Sequence, residues 1–284
     1  MEKYDIKHVL GKGKFGTIYL ANIRKIKGFE GKTEIVAIKT ELQSQEYRSI
    51  KHEVKMMNYL FRNKFKQLPM IYWYGNYQNL VCLVMTYYEC SLEKFLQSQP
   101  IIEIKNSIMK QCICIFEHIH KYYVLHRDIK PQNFMIKDNN IFLIDFGLAI
   151  FYIDEDGEHK PNNHQETIIG TPKYISYYNH IGYTISRRDE MISLGYMYMS
   201  FFGILPWQNI TIIIETTDKS MLDIYHPINI YRKKYKSLEY LFNNIIEPEY
   251  SQKTSLIIKN YMKYCYSLEY DEEPKYQVMQ YLFN

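Results

Sequence analysis

Apolar and polar positions change period along the chain. IKHVL, TIYLANI and EIVAIKTEL are β-branched runs divided by turn residues, which predicts short strands. QEYRSIKHEVKMMNYLF then shifts to helical spacing, with Ile50, Val54, Met57 and Phe61 on one face. MIYWYGNYQNLVCLVMTYY returns to two strands around the polar turn GNYQN. From Ser91 onward the pattern is helical. SLEKFLQ opens on a Ser N-cap with Glu93 in the first turn, and Ile104, Ile108, Cys112, Ile115 and Ile119 line one face of a long helix. MISLGYMYMSFFGILPW (191–207) is predicted as a buried core helix, being shorter than the roughly 20 residues a membrane span needs. DEDGEHKPNNHQET (154–167) is the most polar stretch and is expected to be mobile, while 209–230 mixes Ile runs with Asp, Lys and Pro. The expectation is a small strand-rich part and a larger helical part, meeting near residues 86–91.

Composition narrows the classes. A chain of 284 residues holds one large domain or two lobes sharing a cleft. With 46% apolar and 23% charged residues it reads as an ordinary soluble globular protein. The net charge of +4 favours acidic or phosphorylated partners and falls far short of a nucleic-acid-binding tail, so neither a nucleic acid nor a membrane partner is expected. The N-terminus is too charged for a signal peptide. Five cysteines, odd in number and without CxxC spacing, read as reduced core thiols of a cytosolic protein. YRKKYK (231–236) leaves a nuclear-import reading open beside the cytoplasmic one.

Three motifs bear chemistry. Gly11-Lys-Gly13-Lys-Phe-Gly16 matches GxGxxG, but a dinucleotide site needs a helix after the third glycine and Thr-Ile-Tyr-Leu-Ala follows. A strand–glycine loop–strand suits a flap whose backbone N–H groups cover nucleotide phosphates; a plain hairpin turn is the alternative. In Val36-Ala37-Ile38-Lys39 the lysine stands 14 residues before Glu53. A lysine that holds phosphates needs a carboxylate to fix its flexible side chain. A surface lysine and a solvated helix glutamate are the competing accounts. The third motif decides: His126-Arg127-Asp128-Ile129-Lys130-Pro131-Gln132-Asn133, then IFLIDFGLA with Asp145-Phe146-Gly147. Phosphoryl transfer asks for position and charge neutralisation. Asp128 is suited to orient an attacking hydroxyl and accept its proton, and Lys130 to offset charge on the phosphoryl group. Asn133 and Asp145 are hard oxygen ligands for Mg²⁺.

In this order the motifs resemble the eukaryotic protein kinase superfamily, and Lys130 two residues after Asp128 resembles its serine/threonine branch. ISRRDEMISLGYMYMSFFGILPWQ (185–208), YGNYQNLVCLVM (74–85), HRDIKPQNFMI and YMKYCYSLEYDEEPKY (261–276) are similar to the casein kinase I group. The resemblance covers nearly the whole chain except 209–230, where the chain looks longer than the group's usual connection. It implies an α+β, bilobal protein-kinase fold in a single domain, 1–284. Residues 1–85 would form a small antiparallel N-lobe with one helix, 86–91 the hinge, and 92–284 a larger, mainly helical C-lobe with an insertion near 209–230. ATP and Mg²⁺ are the implied cofactors. Met85 would guard the back of the adenine site, the Thr86 carbonyl and Tyr88 amide would bond at the hinge, and Leu10, Ile18 and Ala37 would sandwich the adenine ring. The hinge departs from the group at Glu89-Cys90, where Gly-Pro is common. Asp189 is expected to hold the catalytic-loop backbone from behind.

GTPKYISYYNHIG (170–182) carries no Ala-Pro-Glu, a feature shared with the casein kinase I group, whose Ser-Ile-Asn-type segment Ser176-Tyr-Tyr partly matches. The resemblance implies protein substrates in which an acidic or phosphorylated residue precedes the serine or threonine. Lys173 would face the substrate phosphate, with Arg188 and Lys234 completing an anion site, while Glu166 would weaken it. A solvated surface charge is the competing account of each cation. The chain ends at Asn284 with no tail to act as a pseudosubstrate, and no clear activation-loop phosphosite pattern accompanies Thr167 and Thr171. A constitutively active, monomeric serine/threonine kinase is therefore expected. A pseudokinase-like nucleotide-binding scaffold is the alternative, against which the presence of Lys39, Asp128, Asn133 and Asp145 stands. A small-molecule kinase is disfavoured by the Lys130 pattern.

Overall fold

The computed structural model describes residues 3–13, 16–24, 34–44, 49–208, 220–243 and 251–284. It is α+β, and the chain divides into two compact units, Met1–Ser91 with Met135–Leu148, and Leu92–Phe134 with Ala149–Asn284.

In the first unit, strands β1 (Tyr4–Gly13), β2 (Gly16–Ile23), β3 (Ile35–Leu42), β4 (Ile71–Tyr77) and β5 (Leu80–Thr86) form one antiparallel sheet in the order β1-β2-β3-β5-β4. The period of two sorts β3 into faces. Val36 and Ile38 join Cys82, Val84, Ala21 and Tyr4 in the core, and Ala37, Lys39 and Glu41 share the opposite face. The β4–β5 turn is tighter than GNYQN suggested. Tyr77 pairs with Leu80, and Gln78 takes the left-handed conformation (φ 53°) that a two-residue hairpin demands.

Helix α1 (Ser49–Arg62) follows β3, and Glu41 fixes where it starts. The Glu41 carboxylate accepts from the Ser49 hydroxyl at 2.8 Å and the Ile50 amide at 3.1 Å, capping otherwise orphan donors. Ile50, Val54 and Met57 are buried as the spacing predicts, but Phe61 is 57% exposed. The buried face is centred on Ile50, Glu53, Met57 and Leu60, and the next position turns out of it. Cys90–Ser91 pairs with Met135 and Ile136, and Leu143 donates to the Gln67 carbonyl, so the late segment is stitched into this unit. Of the Glu89-Cys90 departure, Cys90 thus lies in a short strand and Glu89 in the bend before it.

The second unit contains α2 (Leu92–Leu96), α3 (Ile102–Lys121), the short α4 (Tyr177–His180), α5 (Arg187–Met199), α6 (Pro227–Lys236) and a long helix, Gln252–Ser267. On α3, Ile108, Cys112, Ile115 and Ile119 are buried, while Ile104 in the first turn is exposed. The core helix predicted over 191–207 runs instead from Arg187 to Met199, and the chain leaves the helix before Pro206; every residue from Arg188 to Met199 is buried. Gly195 lets the Gln252–Ser267 helix approach; a Cβ there would sit 2.2 Å from the Met262 sulfur and 3.0 Å from the Tyr261 ring. No described helix is long and apolar enough to cross a membrane.

The polar stretch 154–167, expected to be mobile, is tied down. Asp154 bonds Glu158, Lys160 bonds Tyr152 and Gln165 bonds Gly182 through the backbone. Within 209–230, residues 209–219 lie outside the described part. The remainder pairs with the segment after Asp-Phe-Gly: Ile168 N–H donates to Leu222 at 2.7 Å and Ile224 N–H to Glu166 at 2.9 Å. Ile168, Ile175 and Ile224 close a small apolar cluster over this pairing. The five cysteines are free thiols; Cys82, Cys112 and Cys265 are core residues, but Cys114 is exposed, on the outer side of α3.

Candidate active site

Lys39 projects from β3 on the face opposite the core, and α1 brings Glu53 to meet it. The ammonium lies 2.7 Å from Glu53 Oε2 and 2.8 Å from Asp145 Oδ1. Burial works to lower the lysine pKa, and the Glu53 and Asp145 carboxylates overcome it, holding the group charged above the usual lysine range. Glu53 is fully buried, which raises its pKa; the Lys39 charge and the Phe146 amide pull the other way. Because α1 packs on the turn Phe146–Leu148, the Asp-Phe-Gly motif and the helix glutamate converge on one cation. Asp145 itself is held in the left-handed region at φ 66°.

The glycines of the motif lie on the paired ends of β1 and β2, with Gly11 opposite Ile18 and Gly13 opposite Gly16. A strand, not a helix, follows Gly16, so the dinucleotide arrangement is absent here. A Cβ on Gly16 would collide with the Thr40 carbonyl at 1.8 Å, whereas Gly11 and Gly13 have open space around them. Ile18 pairs with Lys39 across β2–β3, and Ala37 with Met85 across β3–β5. Ala37 and Met85 are buried, Leu10 is exposed, and the Thr86 amide donates to the Met70 carbonyl while its hydroxyl accepts from the Met70 amide. Tyr88 is buried with its ring 4.8 Å from that of Phe142.

In the second unit, Asp128, Lys130, Asn133 and Thr171 form one hydrogen-bonded cluster. Lys130 Nζ donates to Asp128 Oδ2 at 2.6 Å, and Thr171 Oγ1 donates to Asp128 Oδ1 at 2.7 Å. Lys130 also reaches Thr171 Oγ1 at 3.3 Å. Asn133 Nδ2 donates to the Asp128 carbonyl at 2.8 Å and to its carboxylate at 3.0 Å, so the amide nitrogen is the atom that Asn133 commits to the cluster. Gly170 is required beside this cluster. Its φ is +97°, and a Cβ would lie 2.4 Å from the Arg127 carbonyl.

The residue that holds the loop from behind is Glu190, not Asp189. Glu190 Oε1 accepts from the amides of His126 at 2.8 Å and Arg127 at 2.7 Å. Its other oxygen meets His120 Nε2 at 2.8 Å, and His120 Nδ1 meets the Tyr276 hydroxyl at 2.8 Å. Burial lowers the His120 pKa against the pull of Glu190. Asp189 caps α5 instead, accepting from the Ser186 amide and hydroxyl and from the Ser176 hydroxyl.

Of the three cations considered for an anion site, Lys173 is half-buried beside the Tyr174 ring, and burial lowers its pKa against Glu93. Arg188 is buried, its guanidinium 3.6 Å from the Tyr178 ring centroid and donating to the Leu268 carbonyl. Lys234 is exposed near Tyr240. No hydrogen bond joins the three among the described residues. Thr171 and Glu190 are the participants that sequence reasoning passed over. The Gly-Thr pair of the 170–182 segment was a usable signal for Thr171; Glu190 had none beyond standing next to Asp189.

A family model described as protein kinase domain matches residues 4–269. The match runs through both units and contains the Lys39–Glu53–Asp145 triad and the Asp128 cluster alike. The chain therefore belongs to the protein kinase domain family, whose members use ATP and a divalent metal to phosphorylate proteins.

Proposed function

We propose that the protein transfers the γ-phosphoryl group of Mg·ATP to serine or threonine hydroxyls of acidic or already phosphorylated proteins, without prior activation. The observation that bears most weight is the hydrogen-bonded Asp128–Lys130–Thr171–Asn133 cluster. Asp128 accepts the proton of the attacking hydroxyl as its oxygen bonds the γ-phosphorus and the bond to ADP breaks. Lys130 offsets charge on the group in transfer. Lys39, fixed by Glu53, steadies the nucleotide phosphates under the Gly11, Gly13 and Gly16 flap. Leu10, Ile18, Ala37, Met85, Thr86 and Tyr88 serve the adenine.

Asn133 and Asp145 suit Mg²⁺: both offer hard oxygens, and the Asp145 side chain is 43% exposed. The metal supplies charge neutralisation on the phosphates. Constitutive activity is supported by the pairing of residues 166–168 with 222–224, which braces the segment through its own backbone. Acidic preference rests on Lys173 and Lys234 as accessible cations and on the casein kinase I resemblance, with Arg188 committed to packing.

The test is transfer from labelled Mg·ATP to casein by phosphatase-treated protein, with Asp128→Asn alongside. The expected result is label on serine and threonine, and a loss of roughly 10²–10⁴-fold in the variant. Transfer no greater than that of the variant would leave only the nucleotide-binding scaffold.

A further inference from the structure

Lys236, the last residue of α6, is wholly buried, and among the described residues none of its contacts is a carboxylate. Its ammonium donates to the carbonyls of Pro172 at 3.0 Å and Ile175 at 2.6 Å, and lies 3.2 Å from His180 Nε2. The Tyr196 and Trp207 rings stand 4.9 Å and 5.3 Å from it. Between its two carbonyls, the Lys173 carbonyl accepts from Trp207 Nε1 at 2.7 Å. Three carbonyls of one short stretch thus hang from two side chains. A buried lysine without a counter-ion is expensive, and it persists where every donor finds an oxygen and aromatic faces share the charge.

The suspended stretch is the one that carries Lys173 and begins at Thr171, whose hydroxyl sits on Asp128. The far side is anchored too: the Lys236 carbonyl accepts from the Tyr266 hydroxyl at 2.7 Å, which ties the end of α6 to the core helices. Sequence reasoning read YRKKYK as a candidate nuclear-import patch and left this lysine without a role.

We propose that Lys236, with Trp207, is a positioning residue that fixes the shape of Pro172–Ile175 and thereby the affinity for the protein substrate. It acts on backbone carbonyls, in a segment that has no Ala-Pro-Glu, and not on a substrate phosphate. This rests on the reading of that segment as substrate-facing. Burial, and next the Arg232 charge, push the Lys236 pKa well down, consistent with a site held together at a cost.

Lys236→Met keeps the length and apolar body and removes all three donors. Two readouts separate the possibilities: hydrogen exchange over residues 170–181, and KM for casein beside KM for ATP. Expected are faster exchange in that segment and a casein KM raised roughly ten- to a hundredfold, with the ATP KM unchanged. Unchanged exchange would overturn the clamp. Faster exchange with an unchanged casein KM, or equal rises in both KM values, would overturn its role in substrate affinity. A wild-type protein that transfers no phosphate would sink the proposed function, while the exchange arm still decides the clamp. Should Lys236→Met not fold, Trp207→Phe keeps an aromatic ring and removes the donor to Lys173 together with part of the indole; a raised casein KM is expected, and an unchanged one overturns the proposal.

Discussion

At the head of α5 two carboxylates stand side by side and do different work. Neighbours on a helix point about 100° apart, so only one can face the loop that carries Asp128. Asp189 holds the helix start and Ser176; Glu190 takes two backbone amides of the loop and His120. One of those amides belongs to Arg127, which is held at φ 66°. Glu190→Ala would leave buried donors unpaired, each at about 1–3 kcal/mol, and would free Arg127 to relax. The expected outcome is a lower urea midpoint and a reduced kcat with the KM for ATP preserved, measured on the same preparation. Asp128, Lys130 and Asn133 were legible because they are contiguous in a motif. Glu190 and Lys236 were not, because the chain reads Arg-Arg-Asp-Glu and Lys-Lys-Tyr-Lys without saying which side turns inward.

Among the elements, α1 shows how a strand can set a helix. Lys39 and Glu41 share a face of β3; the second caps α1 and the first receives Glu53 from it. Glu41→Ala should cost about 0.5–2 kcal/mol, the range for a lost cap, and loosen the lysine's partner. A lower melting temperature together with weaker ATP binding is expected by calorimetric titration; undiminished ATP affinity would disconnect the cap from the site. The strands of the first sheet and helices α1 and α3 were readable from hydrophobic period, and α5 from its apolar run, though not its end at Met199. The errors lay at margins, where Phe61 and Ile104 fit the spacing but fall beyond the buried arc. The pairing of 222–224 with 166–168 was invisible, since nothing local in either stretch announces the other.

For the molecule as a whole, buried bases govern the response to acid. His120 and His180 are both buried, and burial depresses both pKa values, that of His180 well below the usual histidine range with Lys236 and Arg232 adding to the effect. Their contribution to stability is complete above the unfolded histidine pKa of about 6.5 and is lost as pH falls toward the depressed folded values. Glu53 and Asp189, with raised pKa values, act in the opposite sense lower down, in the carboxylate range. The urea midpoint should therefore fall as pH drops from about 7 to about 5.5, with a shallower fall in His180→Asn. A midpoint flat across that range would show that these histidines bind protons equally in both states.

The division of the chain has a consequence for synthesis. The first unit begins with residue 1 but is completed only by Met135–Leu148, after the chain has passed through Leu92–Phe134. Lys39 leaves the ribosome 106 residues ahead of Asp145, its second counter-ion. The first unit must therefore wait for its last segment while part of the other unit is being made. A gene cut after codon 91 would yield a fragment holding Lys39 and Glu53 but not Asp145, the second carboxylate on the lysine.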